Sequence, residues 1–177
     1  VDVTNKYFIN DVIWNSRKFI NRTGFLNSLE AQIKNINYDS QNDSKLKEDD
    51  NSEVSGVLAF KSKFPMIKKN QEYTKFFSPN LMLRFAPNHM RNLKDEDIGL
   101  SYSNLFSRNK TDIIDGGSSA IFGFDFSLDK RTGKQKTKKL NVSMGQSFSF
   151  EKNKNLPTKT SLDQGMSDMA GDISYNF

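Results

Sequence analysis

The sequence predicts an all-β protein. The expected form is an antiparallel transmembrane β-barrel wall of about seven strands taken from a larger barrel, with long loops at one end and short turns at the other. Three observations predict it. Apolar residues alternate strictly with polar ones over stretches longer than ordinary globular strands. The connections between those stretches alternate in length. The composition is only 35% hydrophobic, and no run approaches the roughly 18 apolar residues of a membrane helix, a test that a barrel escapes because only every second strand residue meets lipid.

In chain order, NKYFINDVIWNS is strand-like but ambiguous in face, with Tyr7 and Trp14 suited to an interfacial girdle. GFLNSLEAQIKNINY sets Phe25, Leu29, Ala31 and Ile33 against Glu30, Gln32 and Lys34. SEVSGVLAFKSKF sets Val54, Leu58, Phe60 and Phe64 against Lys61 and Lys63, and FFSPNLMLRFA sets Phe77, Leu81, Leu83 and Phe85 against Arg84.

The clearest element is SSAIFGFDFSL, with Ser118, Ala120, Phe122, Phe124, Phe126 and Leu128 on one face and Ser119, Ile121, Gly123, Asp125 and Ser127 on the other. LNVSMGQSFSF repeats the device, with Leu140, Val142, Met144, Phe148 and Phe150 against Asn141, Ser143, Gly145, Ser147 and Ser149. GDISYNF closes the series with Ile173, Tyr175 and Phe177 two apart.

Eleven-residue strands extend about 36 Å at roughly 3.3 Å per residue. Tilted by about 40°, they span close to the roughly 25 Å apolar band of an outer-membrane barrel. Register then matters: a one-residue slip aims Asp125 at lipid and the phenylalanines at water. The expected lipid-facing set is Phe60, Leu83, Phe85, Phe122, Phe124, Phe126, Leu140, Val142, Phe148 and Phe150. The expected lumen-facing set is Glu30, Lys34, Lys61, Lys63, Arg84 and Asp125.

NRTG reads as a tight turn and DKRTGKQKTK as a short basic one, whereas DSQNDSKLKEDDNSE, the stretch from PNHMRN to IIDG, and KNKNLPTKTSLDQGMSD are long; PMIKKNQEYTK is intermediate. Short turns on the periplasmic side and long extracellular loops are the barrel arrangement. IGLSYSNLF has Ile98, Leu100, Tyr102 and Phe106 in strand phase, but counting it as a membrane strand reverses the parity of everything after it, so it is assigned to a long loop folded into the barrel mouth. That leaves an odd number of strands, where bacterial single-chain barrels have even ones. The expectation is therefore that residues 1–177 form part of a barrel domain, with the closing strands absent. The competing architectures are a complete eight-strand barrel acting as a porin or adhesin, and a soluble β-sandwich binding module that buries Phe122, Phe124 and Phe126 against a second sheet.

The net charge of +5 suits an anionic partner, but 26 basic residues are scattered among 21 acidic ones, with no long basic helix, so nucleic acid is not expected. There is no cysteine for a thiolate metal site. The single histidine, His89, reads as a loop residue without zinc-binding companions. KEDDNSE lacks the spacing of a calcium loop, DGG at 115–117 is turn chemistry leading into a strand, and no G-x-S-x-G elbow or P-loop is present. No catalytic residue, metal or cofactor is expected.

The ordered set LSYSNLFSRNK, DGGSSAIFGFDFSL, LNVSMGQSFSF and SLDQGMSDMAGDISYNF, preceded by FSPNLMLRFAPNHMRN, resembles the barrel domain of the LptD family, the lipopolysaccharide-assembly proteins of the Gram-negative outer membrane. The resemblance is close from about Phe64 to Phe177 and looser before that. It implies a segment of a very large barrel that carries lipopolysaccharide to the cell surface. It also implies a plug lipoprotein (LptE) in the lumen and a periplasmic bridge protein that delivers substrate through an N-terminal domain absent here. A lateral opening between the first and last strands, also outside this chain, would release the lipid. On that reading the GDISYNF strand is internal, membrane lipid bathes the outer wall, and Lys61, Lys63 and Arg84 help guide anionic sugar phosphates through charge-assisted hydrogen bonds.

Overall fold

Strands with one apolar and one polar face satisfy their backbone donors by lying side by side. In the computed structural model, which describes residues 4–41, 49–87, 92–95, 97–110, 114–132 and 135–176, these strands are β1 (Thr4–Asn15), β2 (Phe19–Ile20), β3 (Leu26–Gln41), β4 (Asp49–Lys63), β5 (Met66–Lys69), β6 (Tyr73–Ala86), β7 (Gly117–Thr132), β8 (Gln135–Ser149) and β9 (Ala170–Tyr175). They form one sheet in the order β1-β3-β4-β6-β7-β8-β9, with β2 laid against β3 and β5 against β6. Every pairing is antiparallel. The seven strands of this path are the seven segments marked by the alternation, and β1 and β9 stand at the two edges.

Turn chemistry fixes the short-turn end. In NRTG the Asn21 side-chain oxygen accepts from the Thr23 and Phe25 amides at 3.1 and 2.9 Å. Gly24 adopts φ +91°, the left-handed conformation a β-carbon would disfavour. PMIKKNQEYTK, expected as an intermediate connection, is mostly β5 and the start of β6, closed by a turn in which the Asn70 side chain accepts from the Glu72 and Tyr73 amides. The break between β4 and β5 at Phe64–Pro65 faces Pro79 of β6. The Pro79 carbonyl accepts from the Phe64 amide at 3.0 Å, so its missing donor lies on the side where the ladder is already interrupted. Gly133, expected in the turn after β7, lies outside the described residues, as does His89.

The long connections at the other end are those between β6 and β7 and between β8 and β9. DSQNDSKLKEDDNSE, expected as a long loop, is mostly strand, because β3 runs on to Gln41 and β4 starts at Asp49; residues 42–48 lie outside the described residues. The IGLSYSNLF segment holds a single helical turn, α1 (Tyr102–Leu105), rather than a strand. Its apolar phase is broken because Ser101 and Asn104 turn their side chains back onto the backbone in a capping box. The turn lies against one face of the sheet, and fully buried Leu105 joins Ala59, Met82, Ile121 and Ala170 in the main core cluster. As DGG suggests, Gly117 enters β7 with φ +113°. Among the described residues, no helix is long and apolar enough to cross a membrane.

Candidate functional site

Register assigns every strand residue to a face, because directly opposed residues of antiparallel strands point the same way. Arg84 lies opposite Ala59 and Ser119, Lys61 opposite Ser28 and Met82, Lys63 opposite Asn80, and Asp125 opposite Ser78 and Ser143. Glu30 and Lys34 of β3 fall on the same face through Ala59 and Ser55. All six acidic and basic candidates therefore share one face, called inner below. Phe60, Leu83, Phe85, Phe122, Phe124, Phe126, Leu140, Val142 and Phe148 share the other, and Phe150, bonded through its amide to the Ser118 carbonyl, continues it. On that outer face Phe122 packs edge-on to Phe148 at 5.8 Å and Phe77 lies 5.7 Å from Phe124.

The inner face is partly covered by a cap made from the β6–β7 connection. One fastening is apolar. Gly123 and Gly145 face each other across β7 and β8 and leave a dimple, because a β-carbon at Gly145 would sit 2.7 Å from Leu105 Cδ2 and one at Gly123 3.0 Å from Phe106 Cζ. Glycine in a strand marks a close approach. Here Leu105 of α1 and Phe106 just after it approach together with the neighbouring strand's backbone, the Met144 carbonyl lying 2.5 Å from a β-carbon at Gly123.

The second fastening is polar and centres on Asp125. Asn80 Nδ2 donates to Asp125 Oδ2 at 2.7 Å and to the Tyr102 hydroxyl at 2.9 Å, while Ser143 Oγ donates to Asp125 Oδ1 at 2.9 Å. The Tyr102 hydroxyl also donates to the Phe124 carbonyl at 3.3 Å. Burial, then the hydrogen bond and charge of Asp125, raise the Tyr102 phenol above its ordinary pKa, so the hydroxyl stays a donor.

A third fastening surrounds Arg84. Its guanidinium donates to the Arg108 and Asp115 carbonyls, to the Gly117 carbonyl at 3.4 Å and to Asn109 Oδ1 at 3.4 Å, with the Asp115 carboxylate 3.7 Å away. Lys110 Nζ approaches the same carboxylate at 3.9 Å. Burial lowers the Lys110 ammonium below its ordinary pKa; Asp115 opposes the shift and Arg84 adds to it. Beyond this point the cap reaches over β3, where Arg108 pairs with Glu30 at 3.4 Å and Asn109 donates to Gln32 Oε1 at 2.8 Å. Glu30 is held from its other side by Lys61 at 2.8 Å. The β8–β9 connection braces the cap: Leu93 donates to the Asn155 carbonyl at 2.8 Å and Asn153 Nδ2 to the Gly116 carbonyl at 3.1 Å.

The inner candidates thus differ in what they offer a passing solute. Arg84 is committed to cap carbonyls, Lys61 to Glu30, and Lys63 stays half exposed with Asp125 at 3.9 Å. The cap meets β1 at its last residue, through Arg108 donating to Asn15 Oδ1 at 3.0 Å. On this strand Tyr7, Ile9 and Ile13 stand exposed on the inner side while Phe8, Val12 and Trp14 stand exposed on the outer. Apolar residues on both sides are the reason the face of this strand is ambiguous in sequence.

A model of the family LPS transport system D, LptD, matches residues 14–177, from Trp14 through every later strand. The chain belongs to the LptD family. Curated proteins yield no match. LptD membership gives the chain a part in lipopolysaccharide transport and outer-membrane biogenesis, the transport and assembly work of that family. An antiparallel sheet with an apolar outer face and a polar inner face is the form expected of an LptD barrel wall.

Proposed function

We propose that this LptD segment forms part of the wall and lumen lining of the outer-membrane translocon that places lipopolysaccharide on the cell surface. The observation that carries the reading is the division of the sheet, with the six charged candidates on one face and Leu83, Phe85, Phe122 and Phe148 exposed on the other. In a barrel the bare face meets acyl chains and the charged face meets water. The long connections then lie outside the cell and the short turns in the periplasm. The lumen would receive a plug lipoprotein like LptE, and a periplasmic bridge protein would deliver substrate through a separate N-terminal domain. No catalytic residue, metal or cofactor is part of this reading.

Of the basic candidates on β4 and β6, Lys61 and Lys63 are the ones that a phosphorylated sugar reaches without displacing the cap, whereas Arg84 holds the cap in place. The test is lipopolysaccharide export in cells carrying the intact protein with Lys61→Gln and Lys63→Gln together. Slower appearance of lipopolysaccharide at the surface, at unchanged barrel abundance, is expected. Unchanged export removes these lysines from the path.

A further inference from the structure

The outer face changes chemistry over its last three rows at the short-turn end. Met66, Phe77, Phe126, Val142 and Ile173 lie in register across five strands and are apolar throughout. The next row outward reads Lys68, Lys75, Leu128, Leu140 and Tyr175, and beyond it Tyr73 pairs with Lys130. Lys68, Lys75 and Lys130 are exposed. Among the described residues none of them enters an ion pair. Lys68 and Lys75 are directly opposed, and like charges in that position, with β-carbons about 5 Å apart, repel one another. The nearby acidic residues do not relieve this by register: Asp129 lies opposite Thr74 on the inner face, and Glu72 lies in the turn.

We propose that Lys68, Lys75 and Lys130 form a docking site for the phosphate of an anionic glycerophospholipid in the leaflet that meets the short turns. The inference rests on the outer face being lipid-exposed, as proposed above. A shared phosphate between Lys68 and Lys75 converts their repulsion into two charge-assisted contacts. The lysine stems lie along the apolar row while their ammonium groups reach the headgroup level, where Tyr73 and Tyr175 also suit the interface. Arg17, Lys18 and Arg22 in the β1–β3 connection extend the positive rim sideways, so the anionic leaflet surface is attracted along the whole edge.

The test is native mass spectrometry of the intact protein from mixed micelles holding equal phosphatidylglycerol and phosphatidylcholine. One lysine near anionic headgroups shifts binding about five-fold, so retention favouring phosphatidylglycerol by on the order of ten-fold is expected. That preference falls to about two-fold or less in Lys68→Gln/Lys75→Gln/Lys130→Gln and persists in the triple arginine variant. It also persists in Lys69→Gln/Arg131→Gln, which removes cations from the opposite face of the same strands. Equal retention of both lipids by the unaltered protein overturns the proposal and leaves the rim to an acidic protein surface. Loss of preference in the opposite-face variant also overturns it. Retention of no lipid of either kind overturns the lipid-facing reading itself.

Discussion

Arg84 and Phe85 are consecutive in β6, and the sheet treats them oppositely: Arg84 is 5% exposed and Phe85 57%. A water-soluble sheet reverses that order, because burying a guanidinium is costly unless it is paired, while burying a phenyl ring is favourable. Here the guanidinium is covered by a polar cap that satisfies it bond by bond, and the ring is left bare beside Leu83 and Phe122. The inner face therefore solves its burial problem with hydrogen bonds inside the chain. The outer face leaves its problem to the solvent, and on the function proposed above that solvent is hydrocarbon.

Three substitutions break or sharpen that contrast. The largest effect is expected from Arg84→Met, which strips the donors from the cap carbonyls and leaves Lys110 and Asp115 to each other. Breaking a buried charged network by removing one partner costs about 3–5 kcal/mol, read as faster hydrogen exchange across residues 100–116 with the strand amides still protected. Next is Phe122→Arg, at a residue 51% exposed. On a lipid face near the bilayer midplane it costs about 2–4 kcal/mol in folding into vesicles; a water-facing site would show almost none.

The smallest effect is at Lys110. Because burial holds its pKa below the ordinary 10.5, the undocked cap binds a proton that the docked cap does not, over the range between the lowered value and 10.5. Docking therefore strengthens as pH rises through that range and weakens as pH falls through it. Lys110→Met is expected to remove the dependence while Arg84 still faces the Asp115 carboxylate, measured with an environment-sensitive label at Ser103→Cys.

The strands were legible in the sequence because period-2 alternation is a property of neighbouring residues. Phe122, Phe124 and Phe126 against Asp125 and Ser127 leave only one register with a uniform face. The six charged candidates on β3, β4, β6 and β7 followed from the same counting. What was not legible was their occupancy. That Arg84 would be spent on carbonyls of residues 108, 115 and 117 depends on a long-range fold of the cap, which no periodicity encodes. A trace was present in the facing glycines of β7 and β8, since paired strand glycines announce an intruding side chain without saying that it is Leu105. The PMIKKNQEYTK hairpin was hidden because Pro65 interrupts the alternation just before it resumes.

The most direct test places nitroxide labels singly at residues 122, 124 and 148 and, for contrast, at 127 and 141 of the intact protein in lipid vesicles. Collisions with oxygen and with a water-soluble nickel chelate are then compared. The account predicts high oxygen and low nickel accessibility at 122, 124 and 148, with the order reversed at 127 and 141. Low accessibility to both reagents at the phenylalanine positions, the signature of a protein interior, would contradict it.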